Sequence, residues 1–243
     1  MIQNTIKKLF VKKTKLKTTT DIHSHLIPEI DDGCFNMDES LNLIRQLKKL
    51  GYKKLIITPH IMMCKYPNNS KIIKQGLFEL RGMLKVKNID IEVQAAAEYY
   101  CDKDFLKQIK INELLTFGNK YVLFELPYTT KPDCLEEVIR NLLKAHYKPV
   151  LAHPERYRFL TEVLHFRALK KLGLLFQINV NSLGGFYGVE VQKKAKMLTL
   201  KGMVDFIGSD IHHQKYMDAY EENIFSNNME MLFCNNKILN DSI

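Results

Sequence analysis

No stretch of this 243-residue chain approaches the roughly 18 consecutive apolar residues of a membrane-crossing helix, so no transmembrane span is expected. There is no C-x-x-C pair among the five cysteines, Cys34, Cys64, Cys101, Cys134 and Cys234, which are odd in number and widely spaced. That argues against a disulfide framework and points to the reduced thiols of a cytoplasmic protein. There is no low-complexity block either; 46% hydrophobic and 26% charged residues make a globular composition rather than a disordered or fibrous one. Acidic residues are missing from positions 1 to 17, "MIQNTIKKLFVKKTKLK", which hold six lysines. Taking those six from the formal net charge of +9 leaves +3 on the other 226 residues, so the basic balance belongs to the leader and calls for no nucleic-acid partner. The leader lacks the roughly 7–15-residue apolar core of a secretory signal, so an export peptide is not expected. Its weakly amphipathic pattern (Ile2, Ile6, Leu9, Phe10) leaves a frayed tail or a contact with a membrane surface or partner.

What is present is a regular alternation. Seven short β-rich runs are separated by helical patterns, which predicts parallel βα units. Helices are expected near 38–50, with Leu41, Ile44 and Leu47 on one face, Asn36 and Glu39 at capping-box spacing and Gly51 as the stop, and near 69–87, with Ile73, Leu77, Leu80 and Leu84 recurring. Each β-rich run is apolar through its body, and polar residues gather at its end: "DIHSH", "TPH", "AAAE", "LFE", "LAHPER", "INVNS" and "GSDIHH". In a parallel α/β barrel all of those ends open on one face, where loops build the active site.

His23 and His25 stand two apart on an extended segment and leave the same face, and Asp210 with His212 repeats the arrangement. With Asp32, His60, Glu98, Glu125 and His153 the pocket gathers up to nine nitrogen or carboxylate ligands and no thiolate. Singly, His60 reads as a turn residue and Glu98 as a helix cap. Jointly, such groups buried side by side would carry a heavy desolvation cost that a metal cluster removes. Mixed imidazole and carboxylate ligation suits manganese, iron or zinc in a multinuclear site.

The set "DIHSHLIPEIDDG", "TPH", "AAAEYY", "FELP", "AHPERY" and "GSDIHH", in this order and spacing, resembles the polymerase and histidinol phosphatase (PHP) superfamily. Within it the likeness is to bacterial manganese-dependent protein-tyrosine phosphatases of capsule and exopolysaccharide synthesis. The resemblance implies an α/β fold, a distorted (β/α)7 TIM-like barrel with its active site at the C-terminal ends of the strands, over residues 20–243 after a basic extension over 1–19. It implies a trinuclear manganese site, with iron or zinc as other ions, held by His23, His25, Asp32, His60, Glu98, Glu125, His153, Asp210 and His212. Arg156 would bind phosphate, His60 could also deliver a proton, and a hydroxide bridging the ions would attack phosphorus. The implied substrate is a phosphotyrosine protein such as a tyrosine kinase of polysaccharide export, met in the cytoplasm or at the membrane surface through the extension. A homo-oligomer is left open. The alternatives are a histidinol-phosphate type phosphatase or phosphodiesterase, and a non-catalytic module that keeps metal for stability. The chain departs from the resemblance after "SDIH": His213 stands where an asparagine is common, and "QKYMDAYEEN" holds no second phosphate-binding arginine.

Other residues are set apart. Residues 134–140, "CLEEVIR", match the C-x5-R pattern of cysteine-dependent phosphatases, but the two glutamates and the apolar spacing read as a helix rather than a glycine-rich phosphate cradle. His146, His165 and His213 are expected outside the site. Asp21 is expected to orient a ligand from behind, Asp31 and Glu29 to be solvated, and Tyr99, Tyr100 and Tyr128 to pack or line the rim.

Overall fold

The computed structural model describes residues 16–243, so the basic extension lies outside the described residues apart from positions 16–19. Among the described residues there are nine short strands: β1 (Thr20–Asp21), β2 (Lys54–Ile57), β3 (His60–Ile61), β4 (Glu92–Ala95), β5 (Glu98–Tyr100), β6 (Tyr121–Glu125), β7 (Lys148–Ala152), β8 (Leu175–Asn179) and β9 (Phe206–Gly208). They form two sheets, β1-β2-β4 and β3-β5-β6-β7-β8-β9. Every pairing between neighbouring strands is parallel.

The two sheets are halves of the same runs. "KKLIIT" breaks at Thr58-Pro59, where proline brings no N–H to the ladder, and resumes as β3; "IDIEVQAAAE" breaks at Ala96-Ala97 and resumes as β5. Bonds from Ala96 N to Ile57 O (2.9 Å) and from Glu98 N to Pro59 O (3.0 Å) carry the pairing across both breaks. The last run lies beside the first: Ser24 and Ile211 form a parallel bridge, His25 N donates to Ile211 O at 2.9 Å and Asp210 N to His23 O at 2.8 Å. The regular ladder of β1 stops at Asp21, so His23 and His25 sit past it, held by that bridge.

The helices are α1 (Met37–Leu50), α2 (Ser70–Val86), α3 (Lys103–Ile111), α4 (Leu135–Lys144), α5 (Val163–Lys171), α6 (Val180–Gly184), α7 (Val189–Leu200), α8 (Gln214–Asn223) and α9 (Asn227–Asn235). The start of α1 is set by Asn36, whose side chain accepts from Glu39 N at 2.9 Å, a contact worth about 1 kcal/mol. Glu39 returns the bond one residue further out than a capping box does, to Phe35 N. Gly51 ends the helix at φ 117, a backbone region that glycine enters without strain.

Alternate strand residues serve two packings. Ile22, Ile56, Ala96, Leu123, Val150, Ala152 and Phe206 pack on one another and on Phe117. Their neighbours in the strands, among them Leu55, Ile57, Phe124, Leu151, Phe176 and Ile207, join the apolar faces of the helices in a larger cluster. In α4, for example, Leu135, Val138, Ile139 and Leu142 are all buried. Each such side chain contributes about 1.5–3 kcal/mol on burial, and together they fix the strand ends that carry the polar groups.

Candidate metal centre

All nine side chains singled out in the sequence meet in one patch: His23 and His25 follow β1, His60 and Glu98 open β3 and β5, Glu125 closes β6, His153 follows β7, Asp210 and His212 follow β9, and Asp32 comes from the turn before α1. Ligand-capable atoms of His25, Asp32, His60 and His212 lie within 4.8 Å of one another, as do those of His23, Glu98 and His153, of His23, His25 and Asp210, and of His60, Glu98 and Glu125. His23, His25, His60 and Glu98 each belong to two of these groups, so the patch is continuous. His153 and Asp210 reach it from backbone at φ 33 and φ 50, a left-handed region costly for non-glycine residues and one that clusters at functional sites.

Three imidazoles are keyed by their Nδ1 atoms. The Gln177 amide oxygen lies 2.8 Å from His23 Nδ1, the Asp31 carboxylate 2.8 Å from His25 Nδ1, and the Asp210 backbone oxygen 2.9 Å from His212 Nδ1. Each of these oxygens accepts, so each Nδ1 donates and each Nε2 faces the cluster, where it offers a lone pair to a cation once it carries no proton. Glycine at 208 is required beneath them: a Cβ there would come within 2.6 Å of His23 Cβ and 2.7 Å of the Gln177 amide nitrogen.

The donor set fits cations. Buried His153 Nδ1 lacks a hydrogen-bond partner, and His60 Nδ1 and Glu98 Oε2 lie 3.1 Å apart without forming an aligned hydrogen bond, which leaves buried polar groups under-satisfied. Burial would lower the pKa of His25, but the charge on Asp31 overrides it and lifts the value to about 10. Burial likewise opposes ionisation of Glu98, yet His23 and His60 hold its carboxyl well below the usual range. Burial and the charge on His25 bring His212 down to about 4, keeping that imidazole neutral. Four carboxylates in one patch thus favour positive charge among them, on an imidazolium or on a bound cation, and imidazole nitrogens and carboxylate oxygens without thiolate suit a multinuclear divalent site.

Arg156 borders the cluster, its guanidinium 3.1 Å from Asp210 Oδ2. It stands between two aromatic rings, 4.7 Å from the centroid of Tyr128 and 4.5 Å from that of Tyr187. This sandwich fixes the plane of the donor fork. On the opposite side Tyr66 stacks on His60 with ring centroids 5.4 Å apart.

Two expectations are corrected, those for Asp31 and Asp21, and those for Tyr99, Cys134, His213 and His165 hold. Asp31 is not solvated: its side chain is buried against His25 and also accepts from His60 N at 3.0 Å and Gly33 N at 2.9 Å. It lies in the turn-rich segment 27–33, where no strand period indicates which side chains turn inward. Asp21 orients no imidazole; it accepts from Ser209 N and Ser209 Oγ, and so holds the loop that carries Asp210. Burial raises its pKa to about 6 against those bonds. Tyr99 packs, with its hydroxyl accepting from Leu115 N at 2.7 Å. Cys134 precedes the regular helix α4, which contains Arg140, so no phosphate loop exists there. His213 lies outside the cluster, 3.2 Å from Glu39 Oε1, and His165 is part of the N-terminal cap of α5.

Sequence reasoning passed over Gln177, Tyr187, Tyr66 and Glu155. Gln177 was detectable as a polar residue inside an apolar strand, on the same face as Asn179, which donates to Asp210 Oδ2 at 2.6 Å. Glu155 of "HPER" is fully buried and accepts from Asn179 N at 2.9 Å and Ser182 Oγ at 2.7 Å, tying the turn that bears Arg156 to β8.

Over residues 19–232 the chain matches the family described as capsular polysaccharide synthesis, CpsB/CapC. It is 29% identical over 198 residues to tyrosine-protein phosphatase YwqE of Bacillus subtilis (strain 168), covering 80% of this chain and 78% of that protein. With tyrosine-protein phosphatase CpsB of Streptococcus pneumoniae the identity is 26% over 212 residues, 84% and 87% of the two chains. A chain from the crystal structures of YwqE from Bacillus subtilis and CpsB from Streptococcus pneumoniae, described as unique metal-dependent tyrosine phosphatases, superposes with a TM-score of 0.75 at 26% identity, covering 90% of this chain and 96% of that one.

Proposed function

The chain belongs to the CpsB/CapC family of capsular polysaccharide synthesis, and from that membership we propose that its histidine and carboxylate cluster is the centre of a metal-dependent protein-tyrosine phosphatase. The observation that carries the reading is the continuous patch of nine ligand-capable side chains with Arg156 at its edge. His23, His25, Asp32, His60, Glu98, Glu125, His153, Asp210 and His212 would hold three ions, manganese by preference, with iron and zinc as competitors. When bound, such ions supply Lewis acidity and a water acidified toward neutrality.

The chain's own residues do the rest. Arg156, locked between Tyr128 and Tyr187, presents N–H donors to phosphate oxygens as charge builds there. Asp210 positions that guanidinium in the absence of phosphate. A tyrosine leaving group ionises near pKa ~10 and so needs little proton assistance; what is needed can come from His60 where it is not fully engaged as a ligand. The bridge between Ser24 and Ile211, and the mutual packing of one face of all the strand runs, support closure of the sheets into a distorted (β/α)7 barrel over residues 20–243. The substrate we propose is a cytoplasmic tyrosine kinase of polysaccharide export. Among the described residues no helix is long and apolar enough to cross a membrane; residues 1–19 would supply any contact with a membrane surface.

The test is metal analysis paired with turnover of a phosphotyrosine peptide by the full chain, before and after chelation. Bound metal, loss of turnover on chelation and recovery with manganese are expected. Turnover that survives complete metal removal overturns the reading.

A further inference from the structure

Beside the cluster a groove of about 850 Å³ runs away from Arg156, within the ~300–1,000 Å³ range of ligand sites. Tyr128 and Tyr187, the two rings that sandwich Arg156, form its near end, and Arg158 and Lys194 lie along its walls. The single carboxylate among its lining residues, Glu190, is already paired with Lys193 at 2.7 Å on the same helix. Arg156 is committed to Asp210 and Lys194 Nζ to the Tyr157 carbonyl. Arg158 is exposed; its backbone N–H is fixed on Tyr128 O at 2.8 Å while its guanidinium has no such tie among the described residues.

Across the loop that follows β6 the charge reverses. The cleft there is lined by Asp102, Asp133 and Glu137 against Lys103. Pro127 and Pro132 of the same loop face that cleft, while Tyr128 and Thr129 face the basic groove. Any chain laid over the site therefore meets positive potential on one side of the loop and negative potential on the other.

We infer that the groove is a docking surface for acidic residues flanking the phosphotyrosine of the protein substrate, with Arg158 as its specificity-determining residue. The inference rests on the phosphatase reading and deepens it. A phosphoryl group held by Arg156 at the near end leaves the neighbouring segment of its own chain within the groove, where Arg158 supplies the free cation. Acidic side chains there gain attraction to Arg158 and Lys194 and avoid the carboxylates across the loop, whereas basic ones meet the reverse.

The experiment uses the full chain loaded with manganese and phosphotyrosine peptides of equal length carrying acidic, neutral or basic flanks. Each kcat/KM is normalised to that for p-nitrophenyl phosphate, which has no flanks. Acidic flanks are expected to exceed basic ones by about three- to tenfold at low salt, the scale of an exposed ion pair exchanged for a repulsion, with the difference carried by KM and reduced as salt is added. Arg158→Glu should remove or invert the ratio, and Arg158→Lys should keep its sign; a ratio taken within one protein sample does not depend on the fraction folded. Equal kcat/KM for all flanks, or a ratio untouched by Arg158→Glu, overturns the inference while leaving the phosphatase reading standing. Absence of turnover for every phosphotyrosine peptide overturns both.

Discussion

Glu98 and Asp32 are both carboxylates within reach of His60, at 3.1 and 3.4 Å, yet the Glu98 side chain is 1% exposed and that of Asp32 45%. The inner wall, with His23, Glu98, His153 and Asp210, is carried on strand ends and locked by Gln177, Asn179 and Ser209. The rim, with Asp32, is carried on a turn and pairs with the exposed Lys65 at 3.9 Å. Similar donor chemistry is therefore held in two ways. A group in the wall has no water to replace a lost partner, so its removal strands the others. A group at the rim can be relieved by solvent, and its contribution is screened.

The largest break in that contrast is Glu98→Gln, which removes one charge without changing shape. Its carboxylate is shared by His23, His60 and His153, so metal content and kcat/KM should both collapse. The expected loss exceeds the ~10–100-fold typical of a partner one step removed from an ion; retention of full metal content would refute the wall as a binding unit. Next in size is the pair Asp31→Asn and Asp32→Asn. Asp31 touches no other carboxylate but keys His25 from within the protein, so its loss should weaken metal binding ~10–100-fold. Asp32→Asn should cost less, because water can stand in at the rim. Titrating both variants with manganese decides the order, and a larger effect at Asp32 would show that burial is not what ranks these groups. The smallest effect belongs to Cys134→Ser, outside both regions, where turnover should be unchanged; loss of activity would move the chemistry away from the cluster altogether.

The positions that a strand period and a run-end rule can reach were legible: the i, i+2 pair of His23 and His25, Glu98 and Glu125 at the ends of their apolar runs, and the polar residues after β9. Helices α1 and α2 were legible because their apolar spacing and caps agree. What escaped lies where period fails. Asp31 sits in a turn, where no period ranks it against its neighbour. Tyr187 reaches Arg156 from the loop after α6, and no spacing rule links residues 156 and 187. The break at Ala96-Ala97 was hidden because apolar residues continue through that run, so it is visible only in the pairing, whereas Pro59 marks the break at Thr58-Pro59 in the sequence.

The bond from Ser209 N to Asp21 Oδ1 joins residues 188 positions apart, and it has a consequence for how the protein is made. Synthesis at ~5–20 residues per second puts about 10–40 s between the emergence of those two partners. During that interval the first strand has an open edge where the last will lie, and His23 and His25 wait without Asp210 or His212. Assembly of the complete set thus waits for His212 rather than accompanying the early stages of synthesis, and a chain stopped short of Asp210 lacks two of the nine ligand-capable side chains whatever the metal supply.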